Sequence, residues 1–195
     1  MQELLRMIRT RRIGQWKVDR SMPFEFTILN YIQTLRFGAL DACMLLLSQL
    51  ADKGLLWLAL AAVLLLGRRT RRIGVAVLLA LAIGHVLGNG VLKHLFARVR
   101  PCNINLAVDM LVQRPHSYSF PSGHACLAFC TIATLYFARC RWLLWPVLCV
   151  GLLVCLSRMY LYVHFPTDVL AGAVTGCLCA YLGWRLLAKF WRNKA

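Results

Sequence analysis

Ser157-Arg-Met-Tyr-Leu-Tyr-Val-His-Phe-Pro-Thr-Asp168 closes one long apolar run, Trp142 to Val163, and opens another, Asp168 to Leu187. Runs of about 20 apolar residues read as membrane-spanning helices. The stretch is therefore a turn at a membrane edge, and it carries Arg158, His164 and Asp168. Ionisable residues in such surroundings are candidates for function by default. Asp168 is the only acidic residue after Asp109, so it does not belong to a generally charged surface. With His164 four residues before it, its carboxylate can orient the imidazole and stabilise its cation. Such a histidine serves as nucleophile or base. The plainer alternative has Arg158 and His164 reaching to lipid head groups and Asp168 capping the next helix.

The composition agrees with a membrane protein. Of 195 residues, 60% are hydrophobic, against about 45–50% in a soluble domain. Lys and Arg number 23 against 7 Asp and Glu. The basic residues fall in short clusters between apolar runs, which fits orientation in a membrane and attraction to anionic lipid rather than nucleic acid. Cys126, Cys130, Cys149, Cys155, Cys177 and Cys179 lie inside apolar runs and no CxxC pair occurs. This excludes a disulfide framework and a zinc site. Residues 1–22 are basic with interleaved Leu and Ile, an amphipathic segment for the membrane surface or a solvated tail, and not a signal peptide. A single domain is expected over 23–190, followed by a basic tail at 191–195.

The spacing predicts an all-α integral membrane protein. Spans are expected at Ile73 to Phe96, Phe120 to Phe137, Trp142 to Val163 and Asp168 to Leu187, with a shorter one at Gly54 to Leu66. Phe24 to Leu50 is interrupted by Asn30, Gln33, Arg36, Gly38 and Asp41. It is a broken interfacial helix or an imperfect first span, bringing the helices to six. The connections Gly67 to Arg72 and Ala138 to Trp142 and the end from Lys189 to Lys194 are basic. They recur at alternate crossings, which places them in the cytoplasm. A basic N-terminus on that side requires Phe24 to Leu50 to cross. The connections Ala97 to Ser119 and Tyr162 to Thr167 then face outward.

Polar clusters meet on that outward face. Lys93 and Arg100, at the end of one span, offer cationic donors to an anion, and the arginine fork suits phosphate oxygens. Ser119-Phe-Pro-Ser-Gly-His-Ala125 reads as a loop turning into a helix. The helix N-terminus, Ser122 and the Gly123 amide suit a phosphate, and His124 is placed to donate a proton. With Arg158, His164 and Asp168 these groups supply the positioning, charge neutralisation, nucleophile and acid of phosphoryl transfer. The outward loops hold too few carboxylates for a hard-cation site. His94 and Arg98 read as head-group anchors, with contact to a second phosphate as the alternative; His85 reads as a core histidine, and Arg114 and His116 as solvated loop residues, with substrate binding as the alternative.

Lys93-X6-Arg100-Pro101, Pro121-Ser-Gly-His124 and Ser157-Arg158-X5-His164-X3-Asp168 resemble, in order and type, the three-part signature of the type 2 phosphatidic acid phosphatase (PAP2) superfamily. The resemblance covers roughly residues 38–188. It implies a six-helix core and hydrolysis of lipid phosphates or diphosphates without metal or cofactor. It also implies roles: His164 as the nucleophile that becomes phosphohistidine, Asp168 holding it, and His124 protonating the leaving group and later activating water. Lys93, Arg100, Ser122, Gly123 and Arg158 would bind the phosphoryl oxygens. The expected setting is a bacterial plasma membrane with the site outward. Undecaprenyl diphosphate stands first among substrates, ahead of phosphatidylglycerol phosphate and phosphatidic acid. A lipid-phosphate binding or flipping protein is the alternative of another class, but binding alone needs no histidine nucleophile. A vanadate-dependent haloperoxidase shares the anion-site signature but not the hydrophobic spans.

Overall fold

The computed structural model describes residues 23–192. Helix α1 is Pro23–Thr34 and α2 is Gly38–Leu50; a single 3₁₀ turn, Asp52–Gly54, leads into α3, Leu55–Leu66. Helix α4, Arg71–Gly84, continues through a π-helical segment, His85–Leu92, to Lys93–Phe96. The short α5, Pro101–Ile104, is followed by α6, Gly123–Phe137, α7, Arg141–Tyr160, and α8, Pro166–Arg192. No strand occurs among the described residues. The expected amphipathic segment at 1–22 lies outside the described residues, as does the end of the basic tail at 193–195.

Among the described residues, three stretches are long and apolar enough to cross a membrane alone: Arg71–Ile104, Arg141–Tyr160 and Pro166–Phe190. A fourth crossing arises if α2 and α3, bent by 45° at their junction, act as one broken span. Helix α6 is apolar but has only 15 residues. Its start is drawn into the protein to build the site, and its flanks are covered by neighbouring helices rather than lipid.

Residues 24–50 form two helices rather than one crossing segment. Helix α1 has 12 residues, about 18 Å at 1.5 Å per residue, well short of the roughly 30 Å hydrocarbon core. Several of its polar side chains find partners at one end of the bundle. Gln33 Nε2 donates to Tyr160 O at 2.8 Å, and the Tyr162 hydroxyl to Asn30 Oδ1 at 2.8 Å. The break between α1 and α2 is held by Arg36, which pairs with Asp41 at 3.3 Å and donates to Asp109 O at 2.8 Å. Helix α1 is thus too short to cross by itself.

Helix α6 is the hub, and its most extensive neighbour is α8. In lipid, helices gain little by burying apolar surface against one another, so association depends on close backbone approach at small residues. Gly172 and Gly176 provide it. A Cβ at Gly176 would clash with Cys126 O and lie 2.9 Å from Cys130 N; one at Gly172 would lie 2.5 Å from Ser122 O. On the other flank the buried thiols Cys126 and Cys130 face the backbone of α4 at Gly84 and Ala80. They fill space as small apolar groups. This packing fixes the start of α6, which carries His124, relative to the start of α8, which carries Asp168.

Candidate active site

The loop after α7 turns at Tyr162, whose φ is +57°. Its residues Leu161, Tyr162, Val163 and Phe165 are buried in an apolar cluster with Phe26 and Leu29 of α1. Phe165 meets Phe26 edge-on at 5.3 Å. The loop is thereby clamped, and His164 between these residues is 2% exposed.

Asp168 stands in the first turn of α8 and is fully buried. Its Oδ2 accepts from the Phe165 amide at 2.8 Å, as the third residue of a helix does in a capping box. It also faces His164 Nδ1 at 3.6 Å and accepts from the Ser119 hydroxyl. Capping and holding the histidine are thus one arrangement. His164 Nε2 points the other way, 3.2 Å from Arg100 Nη1. Burial drives the pKa of His164 down to about 3; Asp168 opposes this, while Arg100 and Arg158 add to it. At neutral pH the ring is uncharged and Nε2 keeps its lone pair when Nδ1 carries the proton toward Asp168.

Arg100 is 4% exposed and held by Ser117 O and Val163 O, each at 2.8 Å, and by Ser117 Oγ at 3.0 Å. Arg158 is 9% exposed and donates to the Ser48 hydroxyl. Neither belongs to an ion pair among the described residues. Buried cations held by neutral groups keep their charge for an anionic ligand. Lys93, Arg100, Gly123, His124, Arg158 and His164 all line one cavity of about 390 Å³. Ser122 stands behind its wall, tied to α8 by its amide on Asp168 O at 2.9 Å. Ser122 Oγ, His124 Nε2 and Arg158 Nε are buried without a hydrogen-bond partner; His124 and Arg158, which line the cavity, can engage phosphoryl oxygens or a leaving group.

Several neighbours have roles that the sequence does not signal. Arg98 is not a head-group anchor: it pairs with Asp168 Oδ1 at 2.5 Å and with Glu25 Oε2 at 2.5 Å. It also lies 4.1 Å above the Phe165 ring and donates to Thr167 Oγ1 at 2.7 Å. His85 is not a core histidine; it is exposed and lines the cavity together with Asn89. Arg114 braces its own loop by donating to Leu106 O and Val108 O. His116 is exposed, and His94 packs edge-on against Tyr118 at 6.0 Å.

A family model described as the PAP2 superfamily matches residues 70–192. The chain belongs to the PAP2 superfamily. An undecaprenyl-diphosphatase of Sulfolobus acidocaldarius is 34% identical over 84% of this chain and 79% of its own length. A decaprenylphosphoryl-5-phosphoribose phosphatase of Mycobacterium tuberculosis is 38% identical over 63% of this chain and 66% of its own. Phosphatidylglycerophosphatase B of Bacillus subtilis is 35% identical; the match spans 56% of this chain and 55% of that protein. Among solved structures, Aquifex aeolicus LpxE superposes with a TM-score of 0.72 at 26% identity, covering 82% of this chain and 94% of that one. The PAP2-type phosphatidylglycerolphosphate phosphatase of Bacillus subtilis does so with 0.71 at 25%, covering 97% and 98%. This PAP2 protein is a phosphoric ester hydrolase of the lipid phosphatase kind and an integral membrane protein.

Proposed function

We propose that residues 23–190 act as one unit that removes the terminal phosphate of a lipid diphosphate through a phosphohistidine, with undecaprenyl diphosphate as substrate. The observation that carries this reading is the placing of His164 Nε2 beside Arg100 at 3.2 Å, on the wall of a cavity that also presents Lys93, Arg158 and His124. The cations, Ser122 and the Gly123 amide hold the phosphoryl oxygens. His164 Nε2 attacks phosphorus; the P–N bond forms as the bridging P–O bond breaks. His124 gives the leaving lipid phosphate its proton, and Asp168 stabilises the imidazolium through Nδ1–H. His124 then takes a proton from water, whose oxygen attacks phosphorus as the P–N bond breaks, and inorganic phosphate departs from a regenerated His164. Charge neutralisation falls to side chains and backbone dipoles, so no metal enters the cycle.

The site opens outward in this proposal, on a bacterial plasma membrane. The basic connection at Arg68 to Arg72 lies at the opposite end of the bundle, where Arg72 sits 5.9 Å from the Trp184 ring centroid. Positive loops favour the cytoplasm. At the site end Phe24, Tyr31, Phe37 and Phe96 are exposed, as suits aromatic residues at head-group depth.

The deciding test is phosphate release by purified protein in detergent with EDTA. Undecaprenyl diphosphate, phosphatidylglycerol phosphate and phosphatidic acid form the panel. Release from the diphosphate ahead of the others is expected. No release from any of them would leave a lipid-phosphate binding protein. Release that depends on added metal would remove the proposed cycle.

A further inference from the structure

The catalytic cavity adjoins a second space whose character is different, and the two share part of their lining. A groove of about 470 Å³ opens between α3, α4 and α6 and is lined by apolar side chains including Leu58, Leu81, Val86 and Leu127. Only Lys53, Gly54, His85 and Leu127 line both spaces. The groove therefore suits the lipid tail, and Lys53 and His85 are the polar side chains at the junction between tail and reacting phosphate.

The direction of reaction puts the leaving group there. An in-line displacement by His164 expels the leaving oxygen away from His164 and toward His124. On α6, Leu127 follows His124 by three residues and so shares its face. From His124 the path thus leads to Leu127 and into the groove.

Both junction residues are held in place by uncommon backbone. Lys53 has φ +51° and Gly54 φ +77°, two successive left-handed residues that make the bend between α2 and α3. For a lysine this conformation is unfavourable, and such strain collects at functional sites. A Cβ on Gly54 would lie 2.9 Å from Leu127 Cδ1, so the bend is seated tightly on α6. His85 begins the π-helical segment, a conformation frequent at functional sites. His85, Asn89 and Lys93 follow one another at four-residue steps and all line the cavity. Asn89 Nδ2 lies 3.3 Å from His85 Nδ1. In the tautomer whose Nδ1 accepts from this amide, Nε2 carries the ring proton and is a donor. Asp52, the acidic neighbour, lines the catalytic cavity but not the groove.

We infer that Lys53 and His85 form a second-phosphate subsite that binds the lipid-attached phosphoryl group of a diphosphate substrate. At this point a lipid monophosphate presents only an uncharged stem, whereas a diphosphate presents an anion. The inference rests on the reading of the cavity as a lipid phosphatase site and adds the selection of diphosphate over monophosphate.

The experiment compares kcat/KM for a polyprenyl diphosphate and a polyprenyl monophosphate of the same tail. It uses the full-length protein, Lys53→Met, His85→Leu, and the conservative Lys53→Arg. Hydrogen bonds to charged groups contribute enough that each loss should lower the diphosphate value about ten- to hundredfold. The expected result is at least tenfold more loss on the diphosphate than on the monophosphate for both Lys53→Met and His85→Leu, with the preference retained in Lys53→Arg. Equal loss on both substrates, or none on either, overturns the subsite while leaving the phosphatase reading intact. So does a wild-type protein that prefers the monophosphate. A wild-type protein that hydrolyses neither substrate overturns the phosphatase reading itself, and the subsite with it.

Discussion

Replacing Arg98 by Met removes a cation that lies between two carboxylates. Its guanidinium pairs with Asp168 and Glu25, with side-chain exposures of 15% for Arg98, 0% for Asp168 and 11% for Glu25. Breaking a buried pair from one side costs about 3–5 kcal/mol because the remaining charge stays desolvated. Arg98 retains some water contact, and Asp168 keeps the Ser119 hydroxyl and the Phe165 amide. The expected destabilisation is therefore at the low end, about 3 kcal/mol. In the proposed cycle Asp168 orients His164 as the nucleophile, so that alignment should also be lost, and a displacement of about 1 Å is enough for a roughly hundredfold loss. We expect kcat to fall about ten- to hundredfold, with KM changed far less. Glu25→Gln should be milder, and the double variant should lose less than the two single losses together. The assay is a double-mutant cycle on unfolding in detergent, paired with steady-state kinetics on one lipid substrate. An Arg98→Met protein with wild-type stability and kcat, altered only in KM, would refute the reasoning and return Arg98 to head-group anchoring.

The two histidines should separate by leaving group: His164→Ala abolishes turnover and any trapped phosphoenzyme. His124→Ala, by contrast, loses about 10²–10⁴-fold on an alkyl phosphate and less on a nitrophenyl phosphate; equal losses on both esters would remove His124 as the acid. Gly176→Ala adds a methyl against Cys126 O and Cys130 N, and such overpacking typically costs about 1–3 kcal/mol. A melting temperature at or above wild type would contradict the close α6–α8 contact. His164 has a folded pKa lowered to about 3 against about 6.5 when unfolded. The unfolded chain binds the extra proton as pH falls below 6.5, so stability contributed by the buried neutral ring is present above that pH and declines toward pH 3. The His164 ring resonances should not titrate between pH 5 and 8; a midpoint near 6.5 by NMR would show the ring to be solvated.

What can be read in one dimension depends on distance along the chain. His164 and Asp168 are four residues apart, and Ser122, Gly123 and His124 are adjacent at a helix start. Local geometry alone brings each set together, so their chemistry is visible as spacing. The same holds for the long apolar runs, whose length is a direct measure of the bilayer. Arg98 is different. Its partners lie 70 and 73 positions away, and nothing near it distinguishes a buried bridge from an arginine that reaches to lipid. Ser119 likewise stands next to a recognisable motif, yet its bond to Asp168 spans 49 positions.

The amino-acid sequence by itself determined the membrane class, most of the helices, the alternation of basic connections and the residues of the three motifs. It did so because lipid thickness, helical rise and charge each act on contiguous residues. Tertiary structure alone decided that α1 lies across the site end and that His85 faces the cavity. It also decided that the bend at Lys53 and Gly54 joins a polar chamber to an apolar groove. The reason is that lipid and protein interior are equally apolar, so hydropathy marks a helix as a span without saying which side meets lipid, a neighbour or a substrate. That choice is made by the close approach at Gly172 and Gly176 and by the pairing of polar groups between helices, and both exist only once the bundle has formed.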